Sequence, residues 1–261
     1  MSDTFWVALG SIGATAGFFA IAWQAYLARA DGKVNRLIAA DTIRARLDSQ
    51  APTVRVTLSP PTWPPLSAPS MGGMPVSAWP HDQLWHFPAQ QDGSNRIYLQ
   101  QQLTVTNASD RRVQIQFDGD LIKAGTDGRT YPAGKFILEP ESEGVEVHLQ
   151  KHFTIKELSE NYFARQDDQE LPHRVTGTVT VDDDRDNGST DQWDLVLTGC
   201  PVEPVEDRDG LWRVALPHLT EGSGLRTLDF QVLAPRRRTH WISRTKNIPL
   251  PSPEIGNLLR G

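Results

Sequence analysis

Residues Phe5 to Leu27 read FWVALGSIGATAGFFAIAWQAYL, an uncharged run with one strongly polar residue, Gln24. About 20 apolar residues at ~1.5 Å each cover the ~30 Å hydrocarbon core of a bilayer, so the run predicts a transmembrane helix over residues 1–28. Trp6 and Trp23 bracket it as interfacial anchors, with Tyr26 reinforcing the second. No Lys or Arg precedes the run, whereas Arg29, Lys33, Arg36, Arg44 and Arg46 follow it. Positive charge stays cytoplasmic, which predicts a single-pass cell-membrane protein with its N-terminus out and its body cytoplasmic. The rival reading is a cleaved signal peptide ending at Ala28-Arg29-Ala30. Against it stand the uncharged n-region and an apolar run longer than a usual signal core. Gly13 and Gly17 form a GxxxG that Gly10 extends, a candidate face for helix self-association and a homo-oligomer.

A mean hydropathy of -0.42 suits a globular body behind one anchor rather than a polytopic protein. Cys200 is the only cysteine, which excludes an intramolecular disulfide and agrees with a reducing compartment. The net charge of -6 is unevenly spread. Residues 137–210 hold 19 acidic and 6 basic side chains, whereas residues 211–261 hold 3 acidic and 8 basic. Such a split makes a dipolar surface, which steers partners without specifying a fold.

Past the run, Val34, Leu37, Ile38, Ile43 and Leu47 recur at helical spacing, and Pro52 closes the segment. They predict a juxtamembrane helical stalk over 29–52. Thr53 to Leu58 alternates as a strand and opens a body over 53–235. A Pro/Trp-rich loop over 59–96 follows, with eight prolines between Ser59 and Pro88, a density that excludes helix and central strand. Trp63, Trp79 and Trp85 lie within it. They are candidate partner-binding residues, either in a polyproline segment around PPTWPPLSAP or as rings filling grooves over the sheet. From Ile97 the pattern is β: strands at Ile97–Thr106, Arg112–Phe117, Lys135–Leu138, Val145–Leu149, Val175–Val181, Gln192–Thr198, Leu211–Leu216 and Leu225–Leu233. A short helix is expected at Phe153–Tyr162 and a turn at Asp182–Thr190.

Many short strands separated by turn residues predict a mainly β chain, with an antiparallel β-sandwich behind the two helices. The stretch LTVTNASDRRVQI resembles the hairpin of bacterial immunoglobulin-like domains, where a strand ends in Asn, turns, and returns through alternating valines. The layout of spanning helix, basic stalk and β-rich body resembles uncharacterised single-pass membrane proteins of GC-rich bacteria. An excess of Arg over Lys, 20 to 6, is in keeping with that source. The resemblance implies an immunoglobulin-like sandwich and no activity.

The polar constellations carry little chemistry. Asp182-Asp-Asp-Arg-Asp-Asn-Gly188 invites calcium, but no register places oxygen ligands at positions 1, 3 and 5 with Gly at 6. His148 and His152 would stand ~13 Å apart on a strand, beyond one metal's reach. Cys200 reads as a structural cysteine, and no Walker A, GxSxG or dinucleotide motif is present. No metal or cofactor is expected. The basic, Pro-containing tail over 236–261 is read as lying outside the sheet. Arg236, Arg237, Arg238, Arg244 and Lys246 are its candidate anionic-surface residues, facing lipid headgroups or the acidic stretch 137–210 of the same chain. Nucleic acid is not an expected partner. The reading is a membrane-anchored, non-enzymatic protein-binding or scaffold module. Its alternatives are an exported, envelope-facing surface domain and an enzyme whose site would gather His148, His152 or His173 with a carboxylate.

Overall fold

The computed structural model describes residues 23, 24, 26, 29, 32, 35–67, 73–75, 77–80, 82–88, 90–183, 188–216, 228–230 and 235–250. Most of the run Phe5–Leu27, including Gly10, Gly13 and Gly17, lies outside the described residues. No helix among the described residues is long and apolar enough to cross a membrane. The chain divides into two compact units, Met1–Gln50 with His240–Gly261, and Ala51–Thr239.

The first unit contains helix α1 over residues 35–50. Leu37, Ala40, Arg44 and Leu47 are its partly covered positions, spaced three and four apart as one helical face requires. Arg44 donates to Asp41 at 2.6 Å on the same helix, and Ile38 and Ile43 remain exposed.

The second unit is mainly antiparallel β. Its strands are β1 (Val54–Leu58), β2 (Leu66–Ser67), β3 (Leu84–His86), β4 (Arg96–Asn107), β5 (Val113–Ala124), β6 (Thr130–Leu138), β7 (Val145–Thr154), β8 (Val175–Asp183), β9 (Ser189–Thr198), β10 (Val202–Pro204), β11 (Leu211–Val214) and β12 (Asp229–Phe230). β13 (Arg236–Ser243) begins in this unit; from His240 onward it belongs to the first, where Trp241 and Ser243 pair with β14 (Ile248–Pro249). The main sheet runs β1-β4-β7-β5-β8-β9-β13, with β2 on β4, β6 on β5 and β12 on β9. A smaller sheet has the order β10-β11-β3.

Alternation fixes which face is buried. β1 reads buried at Val54, Val56 and Leu58, and β9 at Asp191, Trp193, Leu195 and Leu197. The inward rows of β4, β7, β5, β8 and β9 share one apolar core. An apolar strand face must be covered, and along β5 the pairing partner changes from β8 at Val113–Gly119 to β7 at Leu121 and Ile122. Its pairing shifts between Phe117 and Ile122. Gly119 sits there at φ +81°, where an added Cβ would lie 2.6 Å from the Thr176 carbonyl oxygen. Beyond the bend, Leu121 and Ile122 turn to pair with Leu149 and His148 of β7. The Asp120 carboxylate accepts from the Thr176 N–H at 3.0 Å, satisfying a donor beside the irregularity. The result is sandwich-like.

Three expectations are corrected. First, β4 and β5 do not form a hairpin, because neither pairs with the other. The NASD turn is an arch between different parts of the sheet, held by the buried Asn107. Its Nδ2 donates to the carbonyls of Arg111 at 2.7 Å, Leu138 at 3.2 Å and Glu139 at 3.1 Å, while its Oδ1 accepts from the Ser109 N–H. Second, the Pro/Trp segment is not merely a loop. It follows the edge of β4 through Ser59 N–H to the Gln102 carbonyl (3.0 Å), Thr62 N–H to the Gln100 carbonyl (2.9 Å) and then β2, before supplying β3 to the smaller sheet. Third, the start of the basic tail is a strand of the main sheet beside β9.

Helix α2 (Ile155–Gln166) starts in a capping box, with Thr154 Oγ1 accepting from the Glu157 N–H and the Glu157 carboxylate accepting from the Thr154 N–H at 2.7 Å. The fully buried Asn161 ties the middle of the helix to the segments that precede β8 and follow β9. Asn161 Nδ2 donates to the carbonyls of His173 (2.7 Å) and Gly199 (2.9 Å), and its Oδ1 accepts from the His173 N–H.

Candidate peptide-binding cleft

Helix α2 buries Ile155, Leu158, Ser159 and Asn161. Phe163, one turn past Ser159, is carried on the flank of that face and is 52% exposed. Beneath it stands the buried Trp212 of β11, and beside both is Tyr162. The three rings meet pairwise at 5.7–5.8 Å with interplanar angles of 83–89°. Edge-to-face contacts of this kind contribute about 0.5–1.5 kcal/mol each beyond burial, so the exposed ring is held in place.

Phe163 and Trp212 form part of a cleft of about 320 Å³ whose other walls include Phe87, Pro88, Pro204 and Gly210. Phe87 is fixed at both ends: its N–H donates to the Gly210 carbonyl at 2.8 Å, and its ring packs so closely on Gly93 that a Cβ there would come within 2.4 Å. The rim is the turn between β10 and β11, closed by Val205 N–H to the Leu211 carbonyl and Arg208 N–H to the Val205 carbonyl. Glu206, Asp207, Arg208 and Asp209 are all exposed on it. None of the four has an ion pair among the described residues. The cleft is therefore aromatic within and net acidic at its mouth, at the small end of the ~300–1,000 Å³ usual for binding sites.

The residues singled out from sequence lie elsewhere. Trp85 is 1% exposed and part of the core, with Trp79 packed edge-on against it at 5.3 Å and Trp63 also against the core. Their rings fill grooves of this protein, so Trp85 offers no surface to a partner. Arg238 forms a paired contact with the buried Asp191, Nε to Oδ1 and Nη2 to Oδ2, both at 2.6 Å. Arg236 stands 3.7 Å from the same carboxylate, and Arg237 3.1 Å from Asp194. These three arginines thus face the acidic strand β9 of their own chain, one of the two directions the charge split allows. Arg244 and Lys246 sit in the turn between β13 and β14.

Among the described residues, the histidines and the cysteine weighed for chemistry stand apart from one another. His173 bonds Glu160 at 2.7 Å, His152 lies against Tyr98, and His148 is half-buried on β7, where burial lowers its pKa. Cys200 is buried with its thiol against the Asn161 carbonyl at 3.5 Å, and burial pushes its pKa up, away from the reactive thiolate. Among the described residues no three His, Cys, Asp or Glu side chains stand in a metal-ligand array. A second, polar cleft of about 360 Å³ holds Arg165 and Arg174, both paired with its own wall residues Asp229 and Glu170.

Sequence reasoning missed the cleft. The predicted helix stopped at Tyr162, one residue short of Phe163. An aromatic pair, Tyr162-Phe163, at the end of a short helix was the available signal, because only one of two adjacent positions can face a core.

The fold and cleft define a mainly β protein with a sandwich-like body and an open aromatic recess. Comparison with protein-family models, curated proteins and solved structures found no match.

Proposed function

We propose that this chain is a membrane-anchored, non-enzymatic module that holds another protein, with Phe5–Leu27 as its span, the N-terminus out and the body cytoplasmic. The anchor rests on the uncharged run and on the Lys and Arg residues that follow it. The observation that carries the binding role is the cleft: a half-exposed phenylalanine locked by ring contacts over buried Trp212, in a recess with no nucleophile–base pair. Fixed, amphipathic aromatic surface of this sort is what interface anchors are made of.

Sheet edges are the weaker alternative. β6 exposes Tyr131 and Ile137 on an edge, yet it carries Pro132, Lys135 and Gly134 at φ +71°, devices that discourage strand addition. Photo-crosslinking in cells distinguishes the two. Benzoylphenylalanine at position 163 is expected to give one discrete adduct absent when the probe is at position 137. The reverse pattern transfers the role to the edge, and adducts at neither position refute the binding role. Parallel C-terminal fusions to a fluorescent protein and to alkaline phosphatase test the topology. Phosphatase activity without fluorescence overturns it in favour of an exported, envelope-facing domain.

A further inference from the structure

Resting on the cleft being a protein-binding site, we propose that its occupant is a proline-rich segment in polyproline II conformation with a basic flank. Three observations converge on that chemistry.

The walls are rings. Phe87, Phe163 and Trp212 face the recess together with Pro88 and Pro204. Polyproline II presents apolar ridges to such surfaces and arrives already ordered, so little conformational entropy is lost on docking.

The backbone around the recess is unsuited to ladder pairing. Pro204 ends β10 and Pro88 follows β3, and these are the two outer strands of the smaller sheet. Neither residue has an N–H to donate. An extended peptide seeking a strand partner finds these positions blocked, whereas a polyproline II segment has no need of a ladder because its own backbone is solvated.

The mouth selects charge. Asp207 and Asp209 outnumber the single Arg208 among the charged residues that line the cleft, with Glu206 exposed on the same turn, whose backbone is pinned by three internal hydrogen bonds. Asp207 adopts φ +58°, a conformation that Asp tolerates better than most residues. A fixed acidic rim beside an apolar groove complements Arg or Lys next to the proline core, and it repels an acidic flank.

The test is fluorescence anisotropy with the full-length chain in detergent micelles and a labelled peptide carrying an Arg-Arg flank on a Pro-Leu-Pro-Pro core. Saturable binding is expected, weakening as salt rises. Phe163→Ala should weaken it about fivefold or more, the loss that marks a contact residue at an interface centre. Asp207→Asn with Asp209→Asn should weaken it about two- to fivefold and flatten the salt dependence, as exposed charge pairs do. Both sites are exposed, and the aspartates lie on the rim turn rather than under the rings, so their loss reads out independently of the aromatic variant. Equal binding of a peptide with glycine in place of proline overturns the polyproline assignment. Equal binding of a peptide without the arginines overturns the basic flank. No binding, or unchanged binding to Phe163→Ala, overturns the occupant altogether. In that case a persisting crosslink from position 163 leaves the protein-binding role standing, and its absence removes both.

Discussion

Replacing Arg238 with methionine is the sharpest test of how the basic segment is held. Asp191 is 5% exposed, and Arg238, 15% exposed, places two nitrogens on its two carboxylate oxygens. Methionine keeps most of the aliphatic stem but leaves a buried carboxylate whose remaining ion-pair partner among the described residues is Arg236, at 3.7 Å. Removing one partner of a buried pair costs about 3–5 kcal/mol. Partial exposure of Arg238 and the freedom of Arg236 to approach reduce this to about 2–4 kcal/mol. For a body of this size 1 kcal/mol corresponds to about 2–4 °C, so Tm should fall by roughly 4–16 °C. Arg237→Met is the internal control, since the Arg237–Asp194 pair is more than half exposed on both sides. It should cost no more than about 1 kcal/mol. Thermal unfolding of the full-length chain in micelles, followed by tryptophan fluorescence and near-UV circular dichroism, measures both. Equal Tm values for the two variants would refute the claim that Arg238 locks β13 to β9.

Asn107→Ala should be among the most damaging single changes in the body, because it removes a buried donor shared by three carbonyls. A loss of about 2–4 kcal/mol in urea unfolding is expected, and a loss under 1 kcal/mol would show that the arch does not depend on the clamp. Gly119→Ala meets both a left-handed backbone and the Thr176 carbonyl 2.6 Å from the new Cβ, so it should destabilise by at least about 1–2 kcal/mol, whereas Gly32→Ala, with nothing within 4 Å, should not. Thr154→Ala opens the capping box of α2 and should cost about 1 kcal/mol. Burial pushes the Glu157 carboxyl up, but the Thr154 N–H and hydroxyl and the nearby imidazoles outweigh it and hold the pKa below its ordinary value. Stability from this group is therefore present above the unfolded-state pKa and lost as pH falls through the folded one. The gap between wild type and Thr154→Ala should narrow in acid, and a gap that widens there would contradict the box.

Strand content was legible because alternation is a local property. A strand that packs one face must repeat apolar residues every second position, as VRVTL of β1 and STDQWDLVLT of β9 do. The short helix expected at Phe153–Tyr162 exists as α2, and the structure adds the Thr154 and Glu157 capping box that starts it. The Pro-rich stretch correctly excluded helix and central strand, and the two short strands inside it lie at a sheet edge and in the smaller sheet. None of these readings depended on which strand lies beside which.

Everything that did depend on neighbours had to come from the tertiary structure. Asn107 serves a hairpin and an arch equally well, because turn chemistry is set by a few residues and strand pairing by the whole sheet. Arg236–Arg238 read as facing either lipid headgroups or the acidic stretch 137–210, and only the fold shows that the acids they meet are Asp191 and Asp194 of β9, because charge alone does not choose between them. Trp85 read either as a partner-binding ring or as one filling a groove over the sheet, and its burial decides for the second, because burial belongs to the packing around a residue and not to its flanks. The cleft is the extreme case: Phe87, Phe163, Pro204 and Trp212 come from four separate segments, and no local pattern encodes their convergence. The sequence by itself determined the periodicities, the caps and the apolar run at the N-terminus, because those follow from neighbours along the chain. The arch, the locked arginines and the aromatic recess were decided only when distant segments met.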